Sequence, residues 1–220
     1  MAILLINQIE KEILETLESK TVCSVMLTGG NSVISFYSQW SQYLENCLSH
    51  IIFYFGDERC VSPSSVDSNF FTVNKYLFNH NRNSELSQVY RIRAESDNME
   101  AEAARYSLLL PNSIDILLLS MGHDGHIASL FPNSPALLET ERKVVPVTGP
   151  KAPFKRITIT PPVIQAAKQV YVLAIGEEKK CKYEEALLDP DDINSIPARL
   201  VLNRTWIFDL NQEIDVCPKS

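Results

Sequence analysis

Short, uninterrupted apolar runs alternate along this chain with longer segments in which apolar residues recur every three or four positions. An apolar run of five or six residues is typical of a strand buried on both faces of a parallel sheet, whereas the wider spacing is typical of an amphipathic helix. Strands are predicted at residues 22–27, 51–55, 114–119, 144–147, 156–160, 170–175 and 205–210. Helices are predicted at residues 7–20, 33–45, 68–78, 97–109, 133–138, 177–188 and 198–202, and Pro161-Pro162 suits the first turn of another.

The predicted strands and helices largely alternate, and no repeat, low-complexity tract or linker divides the chain. Alternation of this kind is typical of βα units and a parallel sheet. We therefore expect one domain over residues 1–220, with a three-layer, Rossmann-like α/β fold and a mainly parallel central sheet flanked by helices. Either Asp67 or Ser68 is expected to cap the third helix. The apolar face of the first helix is expected to consist of Ile9, Ile13, Leu14 and Leu17.

The charge balance restricts the possible partners. The formal net charge is −7, and no cluster of Lys and Arg interleaves with aromatic residues. Nucleic acid is therefore not an expected partner. An anionic substrate is still possible, but local cations would have to attract it, because the field of the whole molecule repels it.

The cysteines and the amino-terminal segment predict a cytoplasmic protein. The five cysteines are odd in number and widely scattered, which is typical of reduced thiols rather than a disulfide framework. The apolar run near the amino terminus has only five residues and acidic flanking charges, so we expect neither a signal peptide nor a membrane span there. A monomer or a homodimer is expected.

Residues 114–132, IDILLLSMGHDGHIASLFP, join a buried strand to a loop rich in ionisable groups. The loop contains two glycines, His123, Asp124 and His126, and it lies where the strand is predicted to end. Ligands of open α/β folds bind at the carboxyl edge of the sheet. A surface loop and a zinc site are the alternatives, but a zinc site usually needs three or four ligands, and the sequence has neither an HExxH nor a CxxC motif. No metal is therefore expected.

Two other strand ends carry polar loops. Residues 28–32, TGGNS, precede a predicted helix, and the N–H groups at a helix amino terminus favour an anion. Residues 56–59, GDER, place two carboxylates and a guanidinium at the end of another strand. Either loop could be merely structural. Together with Arg156 and Lys179, however, they are candidates for holding an anion.

Five stretches resemble one known family. GHDGHIASLFP resembles the GxGxDGHxASLFP signature of 6-phosphogluconolactonases, which share a superfamily with glucosamine-6-phosphate deaminases. LTGGNS resembles the SGG phosphate loop of the family, with Thr28 for the usual Ser and Val33 near the usual Pro. GDERCVSPSSVDSNF resembles its DER segment, PFKRITIT the stretch with the substrate-facing Arg, and AIGEEK the late Gly–Lys stretch.

The resemblance implies hydrolysis of 6-phospho-D-glucono-1,5-lactone to 6-phosphogluconate without a cofactor, the second step of the oxidative pentose phosphate pathway. His126 would be the base, since imidazole titrates near neutral pH, and either Asp124 or Asp57 would orient it. Backbone N–H groups near Gly125 would stabilise the oxyanion. The residues expected to bind substrate and phosphate are Thr28, Gly29, Gly30, Asn31, Ser32, Arg59, Gly125, Arg156 and Lys179.

Two alternatives to a lactonase are considered: an enzyme with a different reaction and a binding protein without catalysis. A glucosamine-6-phosphate deaminase resembles DGHIAFNEP at this point, and its Glu assists ring opening. Residues 124–132 read DGHIASLFP instead and contain no Glu, so that acid is missing. The other alternative is a sugar-phosphate-binding regulator without turnover, which would normally carry a basic helix-turn-helix that this sequence does not show.

Overall fold

A computed structural model of the protein describes residues 2–43, 48–78 and 88–208. The strands of its main sheet are β1 (Cys23–Leu27), β2 (Ile51–Phe55), β4 (Gln88–Val89), β5 (Ile116–Ser120), β8 (Gln169–Leu173) and β9 (Thr205–Ile207). They lie in the order β4-β2-β1-β5-β8-β9, and all neighbours are parallel. A second sheet of three antiparallel strands contains β3 (Asp57–Arg59), β6 (Val144–Thr148) and β7 (Lys155–Ile159).

The α-helices are α1 (Ala2–Leu17), α2 (Ile34–Trp40), α3 (Asn69–Val73), α4 (Met99–Leu109), α5 (Pro161–Ala166) and α6 (Glu177–Leu188). Short 3-10 turns lie at Asn31–Val33, Leu48–His50, Pro135–Leu138 and Pro197–Val201, and Asn74–Phe78 is a π-helical turn. None of the helices in the described ranges combines the length and apolarity that crossing a membrane requires.

The order in which strands are added to the main sheet reverses between β1 and β5. From β1 the chain adds β2 and β4 on one side, and it then adds β5, β8 and β9 on the other. All five residues of β1 are buried, as are the first four of β5, so both faces of the sheet are covered. The predicted α/β fold with a mainly parallel sheet is confirmed. A crevice is expected at the carboxyl ends of β1 and β5, where the strand order reverses.

The antiparallel sheet is not part of the sequence prediction. Its strand β3 has three residues, too few to show a pattern of its own, and follows β2 after the single residue Gly56. The predicted strands near 144–147 and 156–160 exist, but they pair with each other and with β3 rather than with the main sheet. The pairing of β3 with β7 joins segments about 100 residues apart, so local periodicity could not reveal it.

Several predicted helix bounds are wrong. Helix α1 begins at Ala2 because Leu5 and Ile6 continue the buried stripe upstream, whereas Leu14 is 55% exposed. Ser68 is the cap of α3, accepting from the Phe71 N–H at 3.1 Å. That α-helix gives way to the π-helical turn after Val73. Helix α2 ends at Trp40, and the predicted continuation to 45 falls partly outside the described residues.

Asp115 links three segments at the edge of the sheet opposite the crevice. Its carboxylate accepts from Ser24 N at 3.0 Å and Ser24 Oγ at 2.7 Å, and it contacts the ammonium groups of Lys20 at 2.5 Å and Lys168 at 2.9 Å. Burial raises its pKa, but these partners together outweigh the burial and hold the pKa at about 2.

We expect Asp115→Asn to lower the free energy of unfolding by about 2 kcal/mol at pH 7, which is the free-energy equivalent of this pKa shift. Because the folded-state pKa lies below the ordinary value of 3.8, this contribution is complete well above that value and is lost as the pH falls through about 2. Urea denaturation at pH 7 and pH 2 measures it, with exposed Asp191→Asn as the control. A difference from the wild type that is equal at both pH values would contradict this explanation.

Candidate active site

A cavity of about 310 Å³ lies at the carboxyl ends of β1 and β5. It brings together most of the residues singled out in the sequence, although they come from segments up to 150 residues apart. The predicted site residues that line it are Thr28, Gly29, Gly30, Asn31, Ser32, Asp57, Arg59, His126, Arg156 and Lys179. Asp124 and Gly125 are not among the residues that line it.

His126 and Asp124 form a hydrogen-bonded pair in the loop after β5. The imidazole Nδ1 contacts Asp124 Oδ1, and the same oxygen accepts from the His126 backbone N–H at 3.2 Å. Burial raises the Asp124 pKa, but the hydrogen bond and charge of His126 outweigh it, so the pKa lies below its ordinary value. A carboxylate at Nδ1 favours a proton on that nitrogen and leaves the lone pair on Nε2. Nε2 can therefore accept a proton.

Gly122 and Phe131 fix the plane of this imidazole. The ring centroids of His126 and Phe131 lie 4.7 Å apart. A Cβ atom on residue 122 would lie 2.1 Å from His126 Cε1 and 2.2 Å from Nδ1, so only glycine permits this approach. The turn is closed by Gly122 N, which donates to the His126 carbonyl at 2.9 Å. The first glycine of the motif is therefore needed for space around the ring.

We expect Gly122→Ala to lower kcat/KM by about tenfold or more for the lactone hydrolysis that the sequence resemblance implies. The added methyl group would push the imidazole of His126 away from its position. Gly56→Ala is the matched control, since it also follows a strand of the main sheet, but its Cβ would meet nothing closer than 3.7 Å. Steady-state kinetics on both variants measure the effect. Equal losses in the two would show that the space at residue 122 is not what matters.

The glycine loop at 28–32 is tightly packed on its inner side. A Cβ on residue 29 would lie 1.8 Å from Asn69 Oδ1, and Gly30 has φ +92°, a conformation that favours glycine. Ser120 Oγ donates to the Gly29 carbonyl at 3.3 Å. The loop is therefore held between β5 and α3, with its outer side facing the cavity.

Lys179, in the first turn of α6, reaches across to this loop. Its Nζ donates to Ser32 Oγ at 2.7 Å, and burial lowers the pKa of its ammonium group. The residue lines the cavity together with Ser32. A bound anion would favour the charged ammonium, because an opposite charge nearby stabilises it.

Arg59 and Arg156 are direct cross-strand partners in the antiparallel sheet. Like charges in this relation repel each other. Arg156 is 8% exposed, its guanidinium lies 5.3 Å from the centre of the Phe131 ring, and burial lowers its pKa despite the opposing charge of Asp57. Both arginines line the cavity. Such a pair binds an anion well, because the anion would relieve the repulsion and can accept several guanidinium hydrogen bonds.

Asp57 belongs to a different network from His126. Its Oδ1 accepts from Asn69 Nδ2 at 3.0 Å, and its Oδ2 accepts from Ser129 Oγ at 2.5 Å. The sequence leaves open which aspartate orients the imidazole. In the structure Asp124 makes that contact, whereas Asp57 lies in the cavity wall near Arg156.

Residues 1–208 match the model of a family described as glucosamine-6-phosphate isomerases/6-phosphogluconolactonase. The chain belongs to this family. A 6-phosphogluconolactonase of Borreliella burgdorferi is 35% identical over 186 residues, which cover 81% of this chain and 78% of that protein. One of Mycobacterium tuberculosis is 34% identical over 205 residues, covering 84% and 81%. The crystal structure of a 6-phosphogluconolactonase from Shewanella baltica has a TM-score of 0.83 at 27% identity and covers 91% of this chain and 87% of that one.

Gly125 lies outside the cavity, and His123 lies at its rim. Gly125 N donates to the Gly122 carbonyl at 3.1 Å, and its carbonyl accepts from Ala198 N at 2.9 Å, so the structure does not bring Gly125, a predicted substrate-binding residue, to the cavity. His123 lies at the rim, where its Nδ1 contacts Glu178 Oε2 at 2.8 Å. The two imidazoles thus contact different carboxylates. No cluster of three His, Cys, Asp or Glu side chains suited to a metal occurs within residues 2–43, 48–78 and 88–208.

Other members of the site were not singled out as site residues from the sequence. Asn69, Ser120 and Ala128 also line the cavity. Asn69 lies within the stretch that resembles the DER segment of the 6-phosphogluconolactonase family, so a signal for it was present. Ser120 and Ala128 have no chemical signal of their own, because a small residue becomes part of a wall only through the path of the chain.

Proposed function

We propose that the protein hydrolyses 6-phospho-D-glucono-1,5-lactone to 6-phosphogluconate, with His126 activating the attacking water. This would be the second step of the oxidative pentose phosphate pathway. The observation that carries the proposal is the convergence of His126, the glycine loop and three cationic side chains on one cavity. The family relationship supports the same reaction.

The charges of the cavity suit a phosphorylated substrate. Arg59, Arg156 and Lys179 carry three positive charges against the carboxylate of Asp57, although the chain as a whole has a net charge of −7. The local field therefore attracts an anion that the whole molecule would repel. The phosphate is assigned to these cations and to the 28–32 loop, which would hold the sugar carbonyl near His126.

The hydrolysis requires a proton acceptor and later a proton donor. His126 Nε2 would take a proton from a water molecule as the water oxygen attacks the lactone carbonyl. The resulting imidazolium would then return a proton to the departing ring oxygen. The Asp124 carboxylate stabilises that imidazolium and fixes the ring orientation. Water supplies the nucleophile, so this scheme uses no cofactor and no covalent intermediate.

The absence of a suitable acid argues against the deaminase alternative. Residues 124–132, DGHIASLFP, align with DGHIAFNEP of the deaminases, and Phe131 stands at the position of their Glu. A carboxylate for ring opening is therefore missing from this segment.

The single domain, the cytoplasmic location and a monomeric or homodimeric state are kept as further predictions.

The proposal is tested with freshly generated 6-phosphogluconolactone, with the rate corrected for spontaneous hydrolysis. We expect enzyme-dependent acid release and no ammonia release from glucosamine 6-phosphate. Ammonia release would establish the deaminase reaction instead. Binding of 6-phosphogluconate without any turnover would indicate a non-catalytic binding protein.

A further inference from the structure

The hydroxyl group of Tyr37 lies at the point where β1 and β5 separate. The register of these strands consists of the pairs Val25–Ile116 and Met26–Leu117. β1 therefore ends without a partner strand on the β5 side, next to the cavity. The backbone of Thr28, which follows β1, must find hydrogen bonds elsewhere, because the residue is buried.

The direction of the Thr28 peptide groups follows from the strand. The Leu27 carbonyl accepts from Gly56 N at 2.9 Å and therefore faces β2. Successive residues of a strand direct their peptide groups to opposite sides, so those of Thr28 face β5. There the Tyr37 hydroxyl accepts from Thr28 N at 3.1 Å and donates to Thr28 O at 2.8 Å. One phenol thus satisfies both groups.

We propose that Tyr37 is a positioning residue for the phosphate: its buried hydroxyl group fixes Thr28, and thereby the Gly29-Gly30 turn, in the conformation that receives the anion. This inference rests on the proposed function, which assigns the phosphate to the 28–32 loop. Tyr37 is fully buried in α2 and does not line the cavity, so it acts through Thr28. Burial raises the pKa of its phenol, so the hydroxyl keeps the proton that it donates.

Tyr106 provides a matched control elsewhere in the sheet. Its buried hydroxyl accepts from Phe55 N at 2.7 Å and donates to Phe55 O at 3.0 Å, the same arrangement at the end of β2. Besides Tyr37, the 28–32 loop has side-chain contacts from Ser120 and Lys179. The segment after β2 has backbone anchors in addition. Gly56 pairs with Leu27 and, through its carbonyl, with Ile159 N at 2.8 Å, and β3 pairs along β7. The loss of the Tyr106 hydroxyl should therefore cost stability but leave phosphate binding in place.

The experiment compares Tyr37→Phe with Tyr106→Phe in the full-length chain. We measure kcat and KM for the lactone, the Kd of 6-phosphogluconate by calorimetry, and the urea midpoint. Tyr37→Phe removes both hydrogen bonds to Thr28 and is expected to raise both KM and Kd by about tenfold, with kcat little changed. Tyr106→Phe is expected to lower the urea midpoint, because it also removes two buried hydrogen bonds, without changing KM or Kd.

Two results would overturn the inference: wild-type KM and Kd in Tyr37→Phe, or an equal rise in both variants, which would indicate general destabilisation. Should Tyr37→Phe not fold, hydrogen exchange in the wild type decides. The Thr28 amide must then exchange slowly, and fast exchange there excludes a fixed Thr28. A wild type that binds 6-phosphogluconate but shows no turnover would refute the lactonase proposal alone, because Kd and hydrogen exchange test Tyr37 without catalysis.

Discussion

Replacing His126 with alanine should lower kcat for the lactone by about 10²–10⁴-fold, the range over which general acid–base catalysis contributes. The side chain is 26% exposed and lines the cavity, and its Nδ1 is occupied by Asp124, so Nε2 is the nitrogen that can take a proton from water. Because the phosphate is assigned to other residues, the Kd of 6-phosphogluconate should change little. A stopped assay with freshly made lactone and calorimetry on the product together measure both quantities.

The matched control for this prediction is His123→Ala. His123 is three residues away in the same loop, also lines the cavity, and is largely exposed in contact with Glu178. Its removal should leave kcat within about threefold of the wild type, as expected for a residue outside the proton transfer. Near-wild-type rates in His126→Ala, or equal losses in both variants, would remove the base assignment.

Replacing Arg156 with alanine should raise KM by roughly 10–100-fold, since a charge-assisted hydrogen bond contributes about 1.5–3 kcal/mol. Removal of the cation weakens the phosphate contact both before and during the reaction, so kcat should change less than KM. Steady-state kinetics provide the first measurement. The Kd of 6-phosphogluconate should rise in parallel.

Lys155→Ala is the matched control for Arg156→Ala. Lys155 precedes Arg156 on β7, but its side chain is exposed, and it is not among the residues that line the cavity. Thermal denaturation with and without inorganic phosphate gives a second readout. Phosphate should stabilise the wild type and Lys155→Ala more than Arg156→Ala, because at a given concentration a ligand that binds the folded state more tightly stabilises it more. Equal stabilisation of all three proteins would contradict phosphate binding by Arg156.

These two predictions depend on different kinds of information. The candidate base could be identified from a short stretch, because the glycines and ionisable side chains of GHDGH follow directly after a run of apolar residues that predicts a buried strand. Arg156 was a candidate cation and the family resemblance singled it out. The sequence could not predict that Arg156 pairs with Arg59 across the sheet, since the two residues are almost 100 positions apart and meet through antiparallel pairing.

The aspartates show the same division. The sequence offered both Asp124 and Asp57 as partners of His126, and both were chemically suitable. The structure places Asp124 on the imidazole and ties Asp57 to Asn69 and Ser129. Spacing along the chain could not decide this, because Ser129 lies 72 residues from Asp57.

The sequence by itself determined the alternation of strands and helices, the parallel main sheet, the loops that carry the chemistry and the family resemblance. These features are encoded locally, in runs and motifs of a few residues each. Only the tertiary structure decided which loops share a cavity and which carboxylate holds the imidazole. It also decided that two arginines are paired across the antiparallel sheet beside the cavity, and that a buried tyrosine hydroxyl lies where β1 and β5 separate. The reason is physical: packing of distant segments sets these distances, and no local pattern of residues records them.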